Sequence, residues 1–218
     1  MWLDRTKPDI LMMQETKLAD ADAPNDVFRQ SGYELVHHGQ GRWNGVAIAS
    51  RCGIESVLTN FGERLRPAPA SETGDDEPMA EARMISADCG GVRVVCVYAP
   101  NGRVVDSPFY AAKLEWFDRL SRWLEESIDP NVPAIIGGDL NVAPEDIDVW
   151  DPQACHGGTH VSEPERKAFA RLCREAVRVG TMDLKIACIA ITHEATLLTR
   201  NTIDFAKVPG LRFENWLD

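Results

Sequence analysis

Basic residues are the scarce class in this sequence: 23 lysines and arginines stand against 34 aspartates and glutamates, a formal charge of -11. That balance argues against a protein that coats nucleic acid non-specifically. It leaves room for an enzyme that grips phosphates through a local basic patch and metal ions. No pair of the six cysteines (52, 89, 96, 155, 173 and 188) has CxxC spacing, and several lie in apolar runs. Buried, reduced thiols and a cytoplasmic setting are expected rather than a disulfide framework. The opening MWLDRTKPDI carries no apolar signal-peptide core, and no run approaches the length of a membrane span. Neither internal repeats nor low-complexity tracts occur. No strand precedes the first helical fragment, MWLDRT, a hint of a missing beginning. At 218 residues the chain can bury a substantial core as one domain or two.

The stretch around which the rest is organised is NVPAIIGGDLNVAP, residues 131–144. Its run Ala134-Ile135-Ile136 predicts a strand buried on both faces, stopped by Gly137-Gly138, which deliver Asp139 and Asn141 into a turn. Residues just past such a strand are where α/β architectures place chemistry. Asp139 offers anionic oxygens to a hard cation or a water proton, and Asn141 an uncharged donor and acceptor. The plainer alternative is an Asx-turn in which both side chains only bond backbone groups.

Other strand ends carry polar residues too. Residues 10–13 read as a buried strand ending in Gln14-Glu15-Thr16-Lys17, which places a second carboxylate, Glu15, at a strand end unless it merely pairs with Lys17. Residues 22–30 suggest a short helix and residues 34–38 a strand, whose alternation sends His37 and His38 to opposite faces, poor co-ligands for one metal. A glycine-rich turn at 39–45 precedes a strand at 46–50, with Trp43 expected as a hydrophobic plug. Residues 58–78 read as loop. Residues 82–88 and 93–98 predict a hairpin about Cys89-Gly90-Gly91. The hairpin ends at Tyr98, whose hydroxyl could donate to a phosphate oxygen or tip a core ring. Leu114, Phe117, Leu120, Trp123 and Leu124 recur at spacings that predict a helix over 113–127. Helix and buried strand alternate, which supports an α/β architecture.

Taken together, QETK at 14–17, YAPNG at 98–102 and GGDLNVAP at 137–144 resemble the exonuclease III branch of the endonuclease/exonuclease/phosphatase family. DRTKPDI at 4–10, GRWNGVAI at 41–48, PEDIDVWDP at 144–152 and GGTHVSEPER at 157–166 agree, so the resemblance covers about residues 2 to 175. It implies an incomplete four-layer α/β sandwich of the DNase I-like kind, two mixed sheets face to face with helices outside. It also implies an exodeoxyribonuclease III-like or AP endonuclease-like hydrolase, cutting double-stranded DNA at abasic sites and removing nucleotides from 3′ ends with Mg²⁺ or Mn²⁺. On that pattern Glu15 resembles the metal-binding glutamate and Tyr98 the tyrosine near the scissile phosphate. Asp139 resembles the aspartate that orients or deprotonates water, and Asn141 a phosphate contact. His160 and Ser162 fall where the family approaches the DNA backbone.

Two family segments lack a counterpart. The opening strand with its tryptophan–asparagine–valine–asparagine motif should precede residue 1, and none of the five histidines follows an aspartate, as the family's catalytic histidine does. His193 sits in a helical pattern and is not promoted to that role. Activity is therefore expected to be weak or lost. After Ala176, GTMDLKIA and TRNTIDFAKVPGL resemble the C-terminal end of a PIN-domain toxin ribonuclease over about residues 179–217, with an apolar helix to about 193 and a short strand at 196–199. On that pattern Asp183 and Asp204 look like two of its metal-binding acids, without their partners. The expected organisation is a truncated nuclease domain over 1–176 and a PIN-like fragment over 177–218. The alternative function is a non-catalytic binding or regulatory protein whose tail meets an antitoxin-like partner. Missing strands would also bare sheet edges and favour self-association.

Overall fold

A computed structural model describes residues 2–41, 43–63, 81–129, 132–176, 196–198, 202–206, 208 and 210–215. The chain divides into two compact units, residues 1–172 and 173–218. The first holds two sheets. One has the order β1 (Ile10–Gln14), β3 (Val46–Ser50), β2 (Glu34–His38), all antiparallel. In the other, β4 (Glu55–Thr59), β5 (Met84–Cys89) and β6 (Val92–Tyr98) run antiparallel, and β7 (Ala134–Asp139) pairs parallel with β6.

Alternation along each strand explains how the sheets meet. Val46 and Ile48 of β3 pack against Ile85, Ala87 and Cys89 of β5 and Val94, Cys96 and Tyr98 of β6. The fully buried valines and isoleucines contribute about 1.5–3 kcal/mol each. The small Ala49 faces the other way and lies under Leu3 and Tyr33, beside Phe28. Those residues belong to or flank α1 (Trp2–Thr6) and α2 (Asn25–Gln30), which form the first outer layer. On β6, Val95 and Val97 are also fully buried, so the second sheet needs cover outside as well. A parallel pair requires a crossover, and here the crossover is α3 (Pro108–Ser127). It buries Tyr110, Trp116, Phe117, Leu120 and Leu124, completing helix–sheet–sheet–helix layering.

Several expectations are corrected. β7 does not stop at its glycines but runs on to Asp139, and it is not buried on both faces: Ile135 is 50% exposed. Its inner face looks toward Met12 of β1: a Cβ added at Gly137 would come 3.0 Å from the Met12 methyl carbon. β4 occupies part of a segment expected as loop. The helix α3 starts at Pro108, capped by the Ser107 hydroxyl, which accepts from the Tyr110 amide. The described cysteines are free thiols, but only Cys89 and Cys96 are buried, and Cys52 is exposed. Trp43 is 65% exposed and plugs nothing.

Downstream of β7 come the short helix α4 (Pro152–Cys155) and α5 (Glu163–Ala176). In the second unit β8 (Thr196–Leu198) pairs parallel with β9 (Arg212–Glu214), with a helical turn, Thr202–Phe205, between them. The strand expected at 196–199 is thus present. The apolar helix expected before it lies outside the described residues. Among the described residues no helix is long and apolar enough to cross a membrane.

Candidate active site

The C-terminal ends of β1, β6 and β7 bring four of the expected residues to one rim. Tyr98 and Asp139 are register partners in the parallel β6–β7 pair. The Tyr98 ring is 8% exposed, and its hydroxyl donates to Glu15 Oε1 at 2.8 Å, across from β1. Lys17 Nζ lies 3.6 Å from the same carboxylate oxygen. The Tyr98 hydrogen bond and the Lys17 charge hold the Glu15 carboxyl below its usual range. Burial, reinforced by the bond to Glu15, pushes the Tyr98 hydroxyl up to about 12. The Arg83 guanidinium sits 4.7 Å from the Tyr98 ring centroid and donates to the Tyr98 and Ala99 carbonyls at 3.3 and 3.4 Å.

Backbone bonds then tie this pair to the next loop. The Ala99 amide donates to the Asp139 carbonyl at 2.8 Å, and the Asn141 side-chain amide donates to the Ala99 carbonyl at 2.9 Å. Asp139 Oδ1 accepts from the Asn141 amide at 2.9 Å, an Asx-turn on an exposed carboxylate. Gly138 makes the approach possible: at φ +143°, an added Cβ would lie 1.9 Å from the Val97 carbonyl oxygen. His160 Nδ1 donates to the Asn141 carbonyl at 2.6 Å, which follows because a carbonyl only accepts. Gly138, Asp139, Asn141, Pro144, His160 and Phe169 line an open hollow of ≈ 470 Å³. Glu15, Asn141 and His160 sit at φ +53°, +50° and +73°, strained for residues with a Cβ, and such strain collects at functional sites.

Ser162 is placed differently from its expected DNA contact. It is 8% exposed, and its hydroxyl is engaged by Glu165 and Tyr110, each at 2.6 Å, so it lies beneath the site. Asp183 lies outside the described residues, and Asp204 falls in the helical turn of the second unit. Among the described residues no group of three or more His, Cys, Asp and Glu side chains could hold a metal ion. Glu15 and Asp139 suit a hard divalent cation in kind, as exposed carboxylates, but two ligands fall short of a full set.

Sequence reasoning missed the supports. Lys113 and Glu165 form an ion pair at zero side-chain exposure under the Asn141 and His160 loops. Burial lowers the Lys113 ammonium pKa, against the pull of Glu165. Burial works to raise Glu165, yet hydrogen bonds from Lys113, Ser162 and His160 keep it below its usual range, so the carboxylate is ionised. Two signals could have found the pair: Lys113 lies four residues before Phe117 on the buried stripe, and Ser162-Glu163-Pro164-Glu165 is a capping box. A second missed support is His37, whose Nδ1 donates to Asp20 at 2.8 Å while Nε2 meets the Thr16 hydroxyl at 2.8 Å, bracing the turn that carries Glu15.

With this geometry in view, relatives are informative. The model of the Endonuclease/Exonuclease/phosphatase family matches residues 1–210. The chain belongs to that family. The match does not stop at residue 176. The chain is 29% identical over 153 residues to exodeoxyribonuclease III of Haemophilus influenzae, covering 67% of this chain and 52% of that protein. It is 29% identical over 174 residues to an exodeoxyribonuclease of Bacillus subtilis, covering 78% and 62%. Among solved structures, an AP endonuclease from Archaeoglobus fulgidus superposes at TM-score 0.68 with 31% identity, over 97% of this chain and 76% of that one. These likenesses place the chain in the family's exonuclease III branch, with the expected α/β layering. It spans 52–62% of the length of these two exodeoxyribonucleases.

Proposed function

We propose that this family member hydrolyses phosphodiester bonds of double-stranded DNA, at abasic sites or 3′ ends, slowly and with Mg²⁺ or Mn²⁺. The supporting observation is the single rim on which the Tyr98–Glu15 hydrogen bond meets the Asp139–Asn141–His160 loop through the Tyr98–Asp139 register pair. Glu15 and Asp139 would hold the cation, which when bound lowers the cost of charge building on the phosphate oxygens. The Asp139 carboxylate accepts a proton from the attacking water. The Asn141 side-chain amide, which keeps one N–H beyond its bond to the Ala99 carbonyl, offers an uncharged donor to a phosphate oxygen, His160 holds that loop through its Nδ1–H, and Tyr98 keeps Glu15 oriented. The low rate rests on the family resemblance: none of the five histidines follows an aspartate, as the family's catalytic histidine does.

An abasic-site duplex incubated with the full chain and either ion tests this. Slow nicking that D139N abolishes and E15Q weakens is expected. No nicking with either ion, or nicking that D139N leaves intact, contradicts it.

A further inference from the structure

The three loops that carry the polar groups of the site end on one buried ion pair. Lys113 Nζ donates to the Asn141 carbonyl at 2.6 Å, the Asn101 carbonyl at 3.3 Å and the Glu165 carboxylate. Glu165 Oε1 accepts from the His160 amide at 3.0 Å and from Thr159 Oγ1 at 3.2 Å. Its Oε2 accepts from the amide and hydroxyl of Ser162 at 3.2 and 2.6 Å. Since that hydroxyl gives its proton to Glu165, the Tyr110 hydroxyl donates to Ser162. The fit around the lysine is close: a Cβ on Gly102 would come 2.9 Å from Lys113 Cδ.

Stability does not explain the pair. Desolvating two charges costs several kcal/mol each, and apolar residues of similar volume often hold a fold as well or better. What apolar residues cannot do is bind the carbonyls of Asn101 and Asn141 and the amide of His160 from one point. We propose that Lys113 and Glu165 are positioning residues, which set Asn101, Asn141 and His160 at the spacing a phosphate needs. This rests on the nuclease reading above. A misplacement of about 1 Å in such groups lowers turnover by up to about 100-fold.

The test compares E165Q with L120A in the full chain. Leu120 is fully buried on α3, seven residues beyond Lys113, and its side chain has no hydrogen-bonding group, so its truncation lowers stability without removing a bond to these loops. Steady-state cleavage of an abasic duplex with Mn²⁺ is measured below both thermal midpoints. E165Q is expected to lose kcat at least about tenfold with KM within about twofold, whereas L120A keeps both within about twofold. Equal kcat losses in the two variants, or none in E165Q, overturn the proposal. Should E165Q fail to fold, S162A removes one of the bonds to the carboxylate and is judged on the same kcat criterion. Amide exchange separates the two readings, because it needs no activity. E165Q should speed exchange in residues 139–143 and 159–162 by about tenfold or more over L120A. A wild-type chain that never cleaves defeats the nuclease reading, while unchanged exchange in E165Q defeats this one.

Discussion

Tyr98 combines a core ring with a hydroxyl committed to Glu15, and its ionisation gives a signature that pH can read. Its pKa is pushed up to about 12 from an ordinary 10.0. Between those values the folded chain holds a proton that the unfolded chain releases. The contribution is therefore complete below about pH 10 and lost as pH rises to about 12, a loss of order 2 kcal/mol. Spectrophotometric titration should show a tyrosine ionising near 12, and that late step should vanish in Y98F. Gly138→Ala should cost about 3 kcal/mol or more in a urea titration, since the new Cβ meets the Val97 carbonyl at 1.9 Å. Glu15, Tyr98, Asp139 and Asn141 were legible in sequence because each is a polar residue at the end of an apolar run. Lys113 and Glu165 were not. A lysine in a helix and a glutamate in a charged stretch read as solvated until the facing groups are known, and those partners lie 12, 28 and 52 residues from Lys113 along the chain.

The same division holds for whole elements. The helix α3 was legible from its stripe, but its first turn was not, because Pro108 and Ser107 announce a start only once capping is considered. Ser107→Ala should lower stability by about 1 kcal/mol in chemical denaturation. The strand β4 was hidden by a register shift between Glu55 and Leu58, which breaks the period of two. For β7 the apolar run was read correctly as a strand, yet composition cannot say whether a neighbour covers it. Val132 and Ile135 are 40% and 50% exposed, and among the described strands β7 is paired on one side only. We propose that this exposed edge pairs with a second copy of the chain. Size exclusion should show concentration-dependent elution of the wild type, shifted to monomer by Ile135→Lys. A wild type that elutes as monomer at all concentrations contradicts it.

At the scale of the molecule, the layered architecture was legible because several motifs arrive in order, each at a strand end, and the family match over residues 1–210 supports it. The distribution of charge was not legible. A net -11 conceals that Arg83 stacks on Tyr98 while Lys113 is withdrawn entirely into the interior. A divalent cation held between the two rim carboxylates would offset their like charge. Mn²⁺ should bind better than Mg²⁺, which demands near-ideal octahedral oxygen geometry that two carboxylates do not supply. The central claim, that Glu15 and Asp139 form one cation site, is tested most directly by calorimetric titration of Mn²⁺ into wild type, E15Q and D139N near neutral pH. Weak binding to the wild type that either substitution erases is the predicted result, and binding unchanged in both variants would contradict it.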